Sequence, residues 1–156
     1  MPDQHEAGDA VVTPADIRLA AMNLLARREH SLWELRRKLR RRFSDAGVLD
    51  EQLARLTEEN LQSDLRFAES YAHQRIYRGY GPLRLREELR QRGVSKTDIA
   101  QTMAALEVDW CQHAAQVLEN KFGKLSPTDL KDAARRARFM QHRGFTAEHY
   151  REPWQD

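Results

Sequence analysis

Apolar residues along this chain recur at helical spacing. Leu32, Leu35, Leu39 and Phe43 fall at i, i+3, i+7 and i+11, on one face of a helix. Start signals cut the pattern into short segments. Thr13-Pro14-Ala15-Asp16 supplies a capping hydroxyl, a proline suited to the first turn and a carboxylate placed to reach back. It predicts a helix to about Arg28. Ser31-Leu32-Trp33-Glu34 has the spacing of a capping box and predicts a second helix. A third, over roughly residues 48–59, turns Leu53 and Leu56 inward.

Sliding the chain by 50 residues places Leu35 on Leu85, Leu39 on Leu89, Arg28 on Arg78 and Ser31 on Gly81. After four extra residues in the first unit, Gly47-Val48 meets Gly93-Val94 and Leu53 meets Ile99. Gly79 and Gly81-Pro82 predict a tight turn, with glycine for a left-handed helix end and proline for the next first turn. Ser95-Lys96-Thr97-Asp98 starts a helix with Ile99, Met103 and Leu106 inward. The helix before the turn carries two stripes, Phe67/Tyr71/Gln74 and Leu65/Ala68/Ala72/Ile76, so it has neighbours on two sides.

A third unit is fainter. Trp110 to Phe122 reads as helix, Ser126-Pro127-Thr128-Asp129 caps another, and Thr146 starts a short last one holding Tyr150. Arg143-Gly144-Phe145 echoes Arg92-Gly93-Val94. The expected fold is all-α: an elongated, curved tandem array of three three-helix modules of helix-turn-helix type. They occupy residues 14–61, 62–107 and 108–156, the last irregular, behind a disordered polar tail at 1–13.

Composition agrees with helix, since the chain is rich in Leu, Ala, Arg and Glu, with 5 Pro and 7 Gly. Cys111 is the sole cysteine, which excludes an intramolecular disulfide and suits a reducing compartment. With no secretory leader pattern and no apolar run near the ~20 residues of a membrane span, a cytoplasmic protein is expected.

Net charge is only +2, but it alternates in blocks. It is −4 over residues 1–16, +7 over 17–43, −5 over 44–64, +5 over 65–96, −3 over 97–109 and +2 over 110–156. Such blocks set the local potential that a charged partner meets. The densest basic run is Leu35 to Phe43, with six cations in nine residues. Arg36, Arg40 and Arg42 flank its apolar stripe and recur as Arg86, Arg90 and Arg92, whereas Arg37 and Lys38 become Glu87 and Glu88. The recurring set is a candidate surface for carboxylates or phosphates, which the planar arginine fork suits. The competing reading is a helix surface with ion pairs inside each module, Arg40 or Arg90 against nearby acids. Trp33, between Arg37 and Arg40, could stack on a base, but its counterpart Leu83 favours packing against a neighbouring helix.

The basic helix lacks the Asn, Gln and Ser that accompany arginine in base readout, so sequence-specific DNA recognition is a weak reading. Phosphate contact without specificity stays open. Cys111 and His113 have no second ligand pair for a metal, and no phosphate loop, nucleophile elbow or Cys/His/Asp set is present. The adjacent acids Glu58-Glu59 and Glu87-Glu88 read as solvated. No catalytic residue, metal or cofactor is expected.

One run is distinctive as a whole. It begins Asp64-Leu65-Arg66-Phe67-Ala68, then Tyr71, then Gly79-Tyr80-Gly81-Pro82 and Arg84, then Glu88-Leu89 and Gly93-Val94. In order and spacing it resembles the RecX regulatory family, whose hallmark is D-x-R-F-A, a tyrosine, G-x-G-P, a basic residue and E-L-x-x-x-G-[IV]. Leu24 to Leu39 and Arg143-Gly144-Phe145 are also similar, so the resemblance covers roughly residues 17–152. It implies tandem three-helix repeats and a non-enzymatic modulator of the RecA recombinase. Such a protein binds along the RecA–DNA filament and opposes ATP hydrolysis, strand exchange and the coprotease function behind the SOS response. Arg36, Arg40, Arg42, Arg86, Arg90 and Arg92 are then the candidates for meeting the filament or single- or double-stranded DNA phosphates, on a monomer. Asp64, Arg66, Phe67, Ala68, Tyr71, Gly79, Gly81, Pro82, Leu89 and Gly93 are expected to shape the module. A DNA-binding helical protein acting without the recombinase is the alternative.

Overall fold

The computed structural model describes residues 12–151, and no strand occurs among them. The tail expected at 1–13 lies, apart from Val12 and Thr13, outside the described residues. The helices are α1 (Pro14–Arg27), α2 (Leu32–Leu39), α3 (Ala46–Glu58), α4 (Asp64–Tyr77), α5 (Pro82–Gln91), α6 (Lys96–Ala105), α7 (Trp110–Phe122), α8 (Leu130–His142) and α9 (Ala147–Tyr150). The chain divides into two compact units between Ser63 and Asp64.

In the first unit both expected capping boxes form. The Thr13 hydroxyl accepts from the Asp16 N–H while the Asp16 carboxylate accepts from the Thr13 N–H, and Ser31 and Glu34 do the same at α2. Each cap contributes about 1 kcal/mol. Three helices close over Ile17, Ala21, Leu35, Leu39, Phe43, Leu49, Leu53 and Leu56. Fully burying each leucine stabilises by roughly 1.5–3 kcal/mol. Two boundaries differ from expectation. The α2 helix ends at Leu39, and Phe43 reaches the core from a turn in which its N–H donates to the Leu39 carbonyl at 2.8 Å. The α3 helix starts at Ala46, because the Asp45 carboxylate accepts from the Val48 N–H and caps it earlier.

The second unit holds two further clusters. One gathers Phe67, Ala68, Ala72, Leu85, Leu89, Val94 and Ile99 from α4 to α6, and the other Ala114, Val117, Met140 and Phe145 from α7 to α9. Trp110 packs against both. Gln74, expected on an apolar stripe of α4, is exposed instead, and that stripe ends at half-buried Tyr71. The two clusters are clasped at the start of α5. Its cap is Gly81, which has no side chain to accept from the free N–H groups of a helix start. Carbonyls from the turn after α8 do so: the Gly81 N–H donates to Arg143 at 2.7 Å and the Leu83 N–H to Gly144 at 3.1 Å. A Cβ on Gly81 would stand 2.5 Å from the Gly144 oxygen, so the approach requires glycine there.

Candidate partner-binding surface

The recurring arginines lie on or just past α2 and α5, but their surroundings differ. Arg36 pairs with Asp50 at 2.7 Å, and Arg90 donates twice to Glu87, at 2.6 and 2.9 Å. Arg40 and Arg86 are exposed and have no carboxylate partner among the described residues. Arg42 lies over the Phe43 ring at 5.1 Å. Arg92 lies over Tyr71 at 4.6 Å and donates to the Glu88 carbonyl. Thus two of the six guanidiniums are ion-paired inside their own module, two rest on aromatic rings, and two face solvent unpaired. Trp33 is 38% exposed beneath the Arg37 guanidinium, 5.1 Å from the ring centre, and Leu83 is 50% exposed.

Glu88 corrects the sequence reading of a solvated acid at a position of free sign. Its carboxylate is mostly buried and accepts from the Tyr71 hydroxyl at 2.6 Å, Arg75 at 2.7 Å and Arg84 at 2.9 Å. Burial is the strongest influence and would raise its pKa, but the three donors together outweigh it and hold the group below the usual glutamate range. For Tyr71, burial first and then the bond to Glu88 push the phenol up to about 12. The equivalent Lys38 also has an inward partner, with its ammonium 3.0 Å from the His30 ring nitrogen Nε2. The sign at this position therefore follows what each module buries beneath it. His30 becomes Tyr80, and the Glu34/Lys38 pair becomes Arg84/Glu88, a reversed pair at i, i+4. That reversal was the signal in the sequence.

The remaining motif residues lie in helix starts, core positions and turns. Asp64 and Arg66 stand half-buried in the first turn of α4, Phe67 and Ala68 are in the core, and Leu89 is fully buried. Gly79 and Gly93 take φ of +88° and +79°, and Pro82 opens α5. Tyr80 was not singled out by sequence reasoning, yet three guanidiniums surround its ring: Arg75 at 3.6 Å, Arg84 at 4.6 Å and Arg143 at 4.7 Å. Arg143 also donates to the Arg78 carbonyl and Arg84 to that of His142, which closes the clasp with side chains. Arg75 and Arg84 lie within five residues of Tyr80 on either side and could have marked it, whereas Arg143 comes from a distant stretch. Among the described residues, no group of three or more His, Cys, Asp or Glu side chains is placed to hold a metal ion, and no helix is long and apolar enough to cross a membrane.

Comparison with known proteins matches residues 63–103 to the family profile described as RecX, second three-helix domain, and residues 107–152 to the third. The chain is 44% identical to the regulatory protein RecX of Pseudomonas savastanoi pv. phaseolicola, over 85% of this chain and 86% of that one. To the regulatory protein RecX of Halorhodospira halophila it is 47% identical, over 86% and 84%. The crystal structure of RecX from Lactobacillus salivarius superposes with a TM-score of 0.68 at 20% identity, over 87% of this chain and 90% of that one, a likeness of fold.

Proposed function

The chain belongs to the RecX family of regulatory proteins, and on that footing we propose that it binds the filament formed by the RecA recombinase on DNA and restrains it. It lowers ATP hydrolysis, strand exchange and the coprotease activity that triggers the SOS response, acting in the cytoplasm as a monomer and without catalysis of its own. The observation that carries this reading is the pair of solvent-facing, unpaired guanidiniums at Arg40 and Arg86, one in each compact unit, on a chain with RecX likeness over most of its length. An unpaired surface arginine keeps its fork for a partner's carboxylate or phosphate. Several weak contacts on one chain gain avidity when the partner is itself a repeating polymer.

The test is direct. Purified protein added to RecA filaments on single-stranded DNA lowers the rate of ATP hydrolysis at or below a stoichiometric ratio. No effect at that ratio would sink the reading. Tight, steeply salt-dependent binding to DNA with no effect on the filament would instead support the recombinase-independent DNA binder.

A further inference from the structure

The end of α4 and the packed pair α7 and α8 enclose a cleft of about 480 Å³ that the family motif does not touch except at Gly79. Its apolar lining is Val117, Ile76 and Phe139. Tyr77 stands at it 92% exposed, the most exposed large hydrophobic residue described. Arg78, Lys121 and Arg143 line it, and among the described residues no carboxylate does. Arg143 is committed to the Arg78 carbonyl and the Tyr80 ring. Arg78 and Lys121 have no carboxylate partner among the described residues, and Lys121 rests 5.4 Å from the Phe139 ring centre. On the α7 wall Gln116 donates to Asn120 at 2.9 Å, which leaves one amide oxygen and one amide nitrogen for a ligand.

We propose that this cleft is a subsite for one unstacked nucleotide of a single nucleic-acid strand, its base lying on Tyr77 and its flanking phosphates held between Arg78 and Lys121. A bare aromatic face beside unpaired cations is the combination by which single strands are held without sequence readout. The two amides offer an acceptor and a donor to a base edge. Paired and stacked duplex bases cannot present a face to Tyr77. An acidic peptide would meet the same cations but leave the tyrosine face without a function. None of the candidate arginines on or just past α2 and α5 lines the cleft, and the test below contains no recombinase, so its failure leaves the filament reading standing.

The experiment measures anisotropy of a labelled oligothymidylate with the full-length protein. The comparisons are a duplex of equal length and an abasic strand of equal charge. Tyr77→Ala weakens binding of the intact strand about tenfold, while Tyr77→Phe stays within twofold of the unaltered protein. The abasic strand binds the unaltered protein only as well as the intact strand binds the alanine variant. Arg78→Glu with Lys121→Glu loses more than tenfold and flattens the salt dependence. All three positions sit at the surface or cleft edge, and the helical circular dichroism of each variant is checked to be unchanged. Equal affinity for intact and abasic strands overturns the proposal. So does undiminished binding by Tyr77→Ala or by the double variant, or capture of a poly-glutamate peptide in preference to the strand.

Discussion

At Gly144 the backbone takes φ of +94°, and a Cβ built there falls on the Cβ and backbone nitrogen of Arg84. Gly123 has a similar φ of +80° but open space around it. The pair separates two costs that a positive-φ glycine can hide. With ψ at −174°, Gly123 lies in a positive-φ extended region that only glycine adopts readily, so Gly123→Ala meets a backbone penalty alone, about 1–3 kcal/mol. Gly144→Ala adds a collision with main chain that cannot swing aside, so its loss in urea denaturation exceeds that of Gly123→Ala by at least about 1 kcal/mol. Equal losses would mean that the α5 start yields without cost. The sequence displayed Arg143-Gly144-Phe145 as an echo of Arg92-Gly93-Val94, which identified a helix end. It did not display Arg84 as the neighbour, because that contact depends on how two modules dock and not on local spacing.

Between elements, Glu88 ties α4 to α5 by accepting from Tyr71 and Arg75 on one and Arg84 on the other. Glu88→Gln keeps the shape but removes the charge, leaving Arg75 mostly buried beside a neutral amide. The expected loss at neutral pH is about 2–3 kcal/mol by urea denaturation. Because the native pKa is depressed below the ordinary 4.5, this stabilisation is complete above that value and is lost as pH falls through the lowered native one. The acid arm of the stability curve, below about pH 5, is therefore flatter in Glu88→Gln than in the unaltered chain. An unchanged arm would show that other carboxylates govern it. Helix starts were the most legible elements, since Thr13, Ser31, Ser95 and Asp129 act within four residues of themselves. Only part of the role of Glu88 was legible, as the reversed Arg84/Glu88 pair, because its other partners Tyr71 and Arg75 lie 17 and 13 residues away on another helix.

Across the whole molecule, the recurring arginines divide by what already occupies them. Reversing charge at Arg40 and Arg86 together removes two free guanidiniums, and the concentration needed for half-inhibition of filament ATP hydrolysis rises at least about tenfold. Reversing Arg36 and Arg90 removes groups already held by Asp50 and Glu87, and the rise is smaller. Circular dichroism should be unchanged in both. Equal effects would place the contact on the block of positive charge and not on the free groups. Recurrence in the sequence picked out the six positions. It could not rank them, because Asp50 has no counterpart in the second module while Glu87 has none in the first.

The clasp at α5 has a consequence in time. Arg84 and the His142 carbonyl it reaches are 58 residues apart, and the groups that receive the Gly81 and Leu83 N–H bonds lie just beyond. During synthesis at roughly 5–20 residues per second, α5 is made several seconds before its missing cap. Until the turn after α8 leaves the ribosome, water must serve those donors. The second module of a nascent chain is thus built with its lock open, and the last module to be made is what closes it.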